Sequence, residues 1–230
     1  MGETDILCQQ IEKKYDFTFP KEYRQMREQG WMMLKLPVAK NEAQFITPGH
    51  NYLLLNEMEW YPLEDILALD FSEYYNHLCV KIAPFAFTGN GDHWCWDIEN
   101  GMRVLLCPHD SNEAVIYAPD FKTAIFRQAL EGASLNQKDY PKLLERESAL
   151  QARYATDLSL IFSSEWCELL RELSTRLPIP SETVLFNKNY KSLSLLTYKE
   201  REKIEKAMLH YPDMDKKITW WTEEAPTESA

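Results

Sequence analysis

The stretch that decides the fold reads Thr88-Gly89-Asn90-Gly91-Asp92-His93-Trp94-Cys95-Trp96-Asp97-Ile98-Glu99-Asn100-Gly101-Met102-Arg103-Val104-Leu105-Leu106-Cys107-Pro108-His109-Asp110. Two short apolar runs, Trp94–Ile98 and Arg103–Cys107, flank Asn100-Gly101. That dipeptide is the strongest short hairpin signal, because both corner residues tolerate positive φ. A two-residue turn there pairs Glu99 with Met102, Asp97 with Val104, Cys95 with Leu106, Trp94 with Cys107 and Asp92 with His109. Directly opposed side chains share a face. One face then holds Asp92, Trp94, Trp96, Ile98, Arg103, Leu105, Cys107 and His109; the other holds His93, Cys95, Asp97, Val104, Leu106 and Pro108.

His93-x-Cys95 and Cys107-x-His109 carry the donor types of a zinc site. In this register the two cysteines lie on opposite faces, so they share neither a metal nor a disulfide. Only a one-residue shift would reunite them. The register instead brings Asp92 to His109 at the open end of the hairpin, beside two tryptophans. Such a couple serves as a general acid–base pair, as a polar contact for a ligand, or simply as a histidine satisfied by a carboxylate at an apolar rim. Both faces are more apolar than an open antiparallel sheet requires, so a cover from the C-terminal helices or from a partner is expected.

Upstream, Thr4 is placed to cap a helix ending near Tyr15, and Pro20 to Gln29 forms a second, with Gly30 as its left-handed terminator. Trp31–Leu36 and Tyr52–Leu55 read as strands around a Pro48-Gly49 turn, Tyr61–Leu67 as a short helix, and Cys79–Ala83 as another strand. Downstream, Asp120–Leu130, Tyr140–Thr156, Ser164–Leu177 and Tyr198–Leu209 have helical spacing, the last capped by Thr197. Composition shifts at Gly132–Asn136, and the acidic tail from Thr222 reads as disordered.

The chain has 230 residues and a net charge of −11. Residues 41–120 hold 13 acids against only Lys81 and Arg103. Such a field repels nucleic acid and speeds encounter with a basic partner. Five scattered cysteines without a CxxC suggest reduced thiols. No run is long enough to span a bilayer, and the acidic N-terminus is no secretory signal, so a cytoplasmic protein without membrane attachment is expected.

The sequence has no GxSxG, no GK[ST] loop, no HExxH and no GxGxxG, so neither a catalytic nucleophile nor a cofactor is expected. Glu57 and Glu59 put two carboxylates on one side of an extended segment, which suits either a paired-acid hydrolase or a solvated acidic loop.

The order of the pieces resembles the SUKH superfamily, which groups fungal cell-wall-synthesis regulators with bacterial immunity proteins against secreted toxins. The resemblance rests on Phe19-Pro20-Lys21-Glu22-Tyr23 to Gly30, on Trp60-Tyr61-Pro62-Leu63-Glu64-Asp65-Ile66, on Phe87-Thr88-Gly89-Asn90-Gly91-Asp92 leading to Trp96-Asp97, and on Ala118-Pro119-Asp120-Phe121. It covers residues 4–132, with Phe19 where members usually have leucine. It implies an α+β domain, a mixed and mainly antiparallel sheet with helices packed on it. Residues 1–135 would form that domain, residues 136–221 a helical extension packing on it, and residues 222–230 a disordered tail. It also implies a non-enzymatic protein that binds a cognate toxin, here a basic, nuclease-like one. Glu57, Glu59, Trp60, Asp92, Trp94, Asp97 and His109 are the expected partner-binding residues, Trp60 and Trp94 as exposed anchors and Asp92 and Asp97 as positions matching the family. A regulatory scaffold and a hydrolase built on Asp92 and His109 are the alternatives.

Overall fold

A computed structural model describes residues 2–32, 52–53, 55–135, 141–185 and 188–224, with backbone alone for 141–143, 181–185 and 188–192. The described residues form an α+β protein with seven helices and a mainly antiparallel sheet of six strands. The helices are α1 (Glu3–Tyr15), α2 (Lys21–Glu28), α3 (Leu63–Ala68), α4 (Phe121–Ala133), α5 (Pro141–Asp157), α6 (Ser164–Thr175) and α7 (Tyr198–Met208). The sheet runs β1 (Glu59–Trp60), β3 (Ile82–Phe87), β4 (His93–Asp97), β5 (Arg103–Cys107), β6 (Glu113–Ala118) and β9 (Lys217–Thr219) in that spatial order, and every neighbouring pair is antiparallel. Two small ribbons pair β2 (His77–Leu78) with β10 (Trp221–Thr222) and β7 (Ile179–Leu185) with β8 (Lys188–Ser194).

The chain forms two compact units. The first comprises residues 1–35, 57–124 and 211–230, and the second 36–56 and 125–210. The division therefore falls inside α4 and not near residue 135, and the chain returns to the first unit after residue 210. The segment expected to be a helical extension contains β7, β8, β9 and the start of β10, and Thr222 pairs with His77 where a disordered tail is expected to begin. Residues 225–230 lie outside the described residues, as do Pro48-Gly49 and most of the Trp31–Leu36 strand. The helix-capping motif at Thr197 forms as read: its hydroxyl accepts the Glu200 N–H at 3.2 Å, and the Glu200 carboxylate accepts the Thr197 N–H at 2.9 Å. At α1 the cap lies at Gly2, whose N–H donates to Asp5 at 2.9 Å, and not at Thr4.

The register of the central hairpin differs by one residue from the Asn-Gly reading. Asp97 opposes Arg103, Cys95 opposes Leu105 and His93 opposes Cys107. The connection is a five-residue loop, residues 98–102, in which Gly101 (φ 72°) and Met102 (φ 62°) take the left-handed conformation. The cause is electrostatic. The expected register would bury the Asp97 carboxylate opposite Val104, where nothing offsets its desolvation. One residue of slip puts it opposite Arg103, whose Nε and Nη2 donate to Oδ2 at 2.8 and 2.7 Å, while Asn100 Nδ2 donates to both oxygens at 3.0 and 3.1 Å.

That slip redistributes the faces. Trp94 and Trp96 share one face, where Trp96 packs among Phe85, Tyr23, Phe19, Phe17 and Phe121 with ring centroids 4.5–5.8 Å apart. The opposite face, with Cys95, Leu105 and Cys107, is covered by Phe71, Tyr75 and Trp220, and not by the C-terminal helices.

The second unit has its own core. Phe126 stacks on Trp166 at 4.2 Å, and Arg127, Glu131, Arg201 and Glu205 form a partly buried ion-pair network between α4 and α7. Glu147 is buried on α5 against Gly132, with Gln151 Nε2 donating to it at 2.7 Å.

Candidate functional site

Strand pairing fixes which chain ends meet. Glu59 opposes Phe87, Phe87 opposes His93, His93 opposes Cys107, and Glu113 opposes Thr219. The start of β1, the 88–92 loop, the 108–112 loop and the start of β6 therefore gather at one end of the sheet. They bring Glu57, Glu59, Asp92, His109, Asp110 and Glu113 to that end. Glu57, Glu59, Asp110 and Glu113 are exposed, and Asp92 is half-buried. The pieces are tied together. The Trp94 indole N–H donates to the Glu57 carbonyl at 2.8 Å, and Gly89 lies so near Glu59 that a Cβ there would stand 3.7 Å from Oε1.

Asp92 and His109 form the pair that the sequence anticipates, although through a different register. Asp92 Oδ1 accepts the His109 backbone N–H at 3.1 Å and lies 2.8 Å from His109 Nδ1. A direct strand pair is not needed, because both residues sit in loops beyond the last paired residues. The 88–92 loop is held by Thr88, whose N–H donates to the Asp92 carbonyl at 2.9 Å and whose hydroxyl accepts the Asp92 N–H at 3.1 Å. The hydrogen bond that the Asp92 carboxylate accepts from the imidazole raises the His109 pKa above the ordinary value. His93, one residue along, behaves in the opposite way. Its Nδ1 bonds the Tyr61 hydroxyl at 2.9 Å, its ring packs edge-on against Phe71 at 5.0 Å, and burial lowers its pKa to about 4. Burial thus favours the neutral form of His93, whereas the neighbouring Asp92 carboxylate favours the charged form of His109.

The four zinc-type donors do not converge. The register places Cys95 and Cys107 on one face after all, contrary to the reading from the sequence, and burial together with the neighbouring Cys107 raises the Cys95 thiol. Both are buried free thiols. Among the described residues, the donor group that does converge is Asp92, His109 and Asp110, with ligand atoms within 4.8 Å of one another. Asp110 escapes the sequence reading because it belongs to no pattern; only the approach of two loops places it there.

Three expected partner-binding residues are not at the surface. Trp60 is fully buried between Phe85 and Phe121. Trp94 is 1% exposed, with its ring edge-on to Tyr117 at 4.6 Å. Neither can anchor a partner. Asp97 is fully buried at the far end of the sheet, bound to Arg103 and Asn100, and shapes the loop rather than a binding surface. Tryptophans beside an exposed loop read as anchors in the sequence; the second sheet face and the aromatic cluster take them inside instead.

Among the described residues no helix is long and apolar enough to cross a membrane. Set against protein-family profiles, curated proteins and solved structures, the chain matches none of them.

Proposed function

We propose that this protein is a non-catalytic binding protein of the immunity type, which neutralises a basic, nuclease-like protein through the acidic end of its sheet. The reading keeps the SUKH resemblance as its starting point. One observation supports it above the others. The only Lys and Arg side chains between residues 41 and 120 are both occupied within the first unit: Lys81 pairs with Asp16 at 2.7 Å and Arg103 with Asp97 at 2.7 Å. Glu59 and Asp110 are exposed at the acidic end of the sheet. Glu113 is matched by Lys217 at 2.8 Å. The field at that end is therefore negative, which accelerates encounter with a cationic surface and repels nucleic acid.

Retention of partners from the native cell on the immobilised chain, washed at low and at high salt, tests this. A stoichiometric basic protein that loosens with salt, and whose toxicity is relieved by co-expression of the chain, is the expected result. Salt-independent binding, or a partner whose toxicity is unaffected, overturns it.

A further inference from the structure

We propose that Asn100 is a site of spontaneous deamidation, and that its conversion to a carboxylate releases the 98–102 loop from the buried Asp97. The inference does not depend on the immunity reading. The chain holds two Asn-Gly pairs, Asn90-Gly91 and Asn100-Gly101. This dipeptide is especially prone to the reaction, because glycine has no side chain to shield its nitrogen. The glycine nitrogen attacks the asparagine Cγ, and its proton passes through water to Nδ2, which leaves as ammonia. A five-membered succinimide results. Water then opens the ring at either carbonyl and leaves aspartate or isoaspartate. One water enters for each ammonia lost, and nothing is oxidised or reduced.

The fold treats the two pairs differently. Both asparagines and both glycines are exposed. The Gly91 N–H donates to the Thr88 carbonyl at 2.9 Å, so its nitrogen is engaged. Among the described residues the Gly101 N–H makes no hydrogen bond, and a Cβ at Gly101 would meet nothing within 4 Å, so the attacking nitrogen is open to water. The consequences differ as well. Asn100 Nδ2 donates to both oxygens of the fully buried Asp97, at 3.0 and 3.1 Å. That clasp restrains the nitrogen that leaves and not the one that attacks. Conversion replaces the donor by a negatively charged acceptor, so two carboxylates face each other where one was clasped. Isoaspartate also adds a backbone atom, inside a loop closed by the Met102 N–H on the Asp97 carbonyl at 3.0 Å. Asn90, by contrast, is held through its backbone N–H, which donates to the Thr88 hydroxyl at 3.3 Å, and its side chain makes no hydrogen bond among the described residues. Its conversion therefore breaks no contact in the 88–92 turn.

The test incubates the full chain at mildly alkaline pH, folded and in urea, and follows both asparagines by peptide mass spectrometry with an isoaspartate assay. In urea both should convert. In the folded chain, each taken relative to its own rate in urea, Asn100 should convert at least about fivefold faster than Asn90, the effect of one hydrogen bond on the attacking nitrogen. Urea unfolding of variants then reads the consequence. N100S loses the amide without adding charge, and N100D should shift the unfolding equilibrium about tenfold further than N100S does. N90D should shift it by no more than about twofold. A folded chain that keeps Asn100 intact while urea converts it, Asn90 converting as fast as Asn100 in the fold, N100D no less stable than N100S, or an equal loss in N90D would each overturn the proposal.

Discussion

The two ends of the central sheet carry the same chemistry in opposite settings. At the far end, Asp97 is fully buried and bound by Arg103 and Asn100. At the near end, Asp92 is half-buried, bound to a half-exposed His109, and surrounded by exposed acids. Both aspartates belong to one hairpin, five positions apart. Burial separates their roles. A buried carboxylate must have its charge and lone pairs matched by the protein, and so becomes structural. A partly solvated one tolerates incomplete matching and keeps capacity for an outside group.

Glu147 in the second unit extends the contrast, since it is buried and takes a neutral amide, that of Gln151, as its hydrogen-bond donor. Desolvation raises its pKa from 4.5 to about 7, with Gln151 and Arg146 pulling the other way. Three carboxylates thus sample three solutions: a buried carboxylate matched by a cation, a half-exposed one matched by a histidine, and a buried one whose burial favours the protonated form.

The comparison can be broken at its strongest point first. Asp97→Ala should cost about 3–5 kcal/mol in urea unfolding, because it strands Arg103 and frees the 98–102 loop. A loss below about 1 kcal/mol would mean that the ion pair does not set the register. Next comes Glu147. Between pH 4.5 and about 7 the folded chain holds a proton there that the unfolded chain has released, so stability should fall as pH rises through this window. The full effect is about 3 kcal/mol. Glu147→Gln should flatten that slope and raise Tm at pH 8 relative to the parent; an unchanged pH profile would show that the carboxyl is ionised in the fold. The smallest effect belongs to the exposed end. Glu57→Gln with Glu59→Gln should change unfolding free energy by no more than about 0.5 kcal/mol. A larger loss would make these acids part of the fold and remove the contrast between the ends.

Much of the first unit is legible in the amino-acid sequence. Phe19-Pro20 opens α2, and Gly30 ends it in a left-handed conformation at φ 74°. In the second unit Thr197 with Glu200 opens α7 in the same local way, because caps and turns act within a few residues. The α+β class is what the resemblance implies, and the described residues have it. β6, Glu-Ala-Val-Ile-Tyr-Ala at 113–118, escapes such a reading because a short apolar run has no distinctive period. β7 to β10 escape it because prolines at 178 and 180 and a polar tail look like interruptions.

The site divides along the same line. That acids dominate residues 41–120 follows from the chain alone, since a charge count needs only local information; Asp92 does meet His109, but through loops and not through the strand pairing that the Asn-Gly turn suggests. The interior placement of Trp60, Trp94 and Asp97, the shared face of Cys95 and Cys107, and the approach of Asp110 to Asp92 and His109 emerge only in the folded molecule. Each of these depends on a one-residue register or on the meeting of separate loops. Register is settled by whether a buried charge finds its partner, and in this hairpin Asp97 finds Arg103.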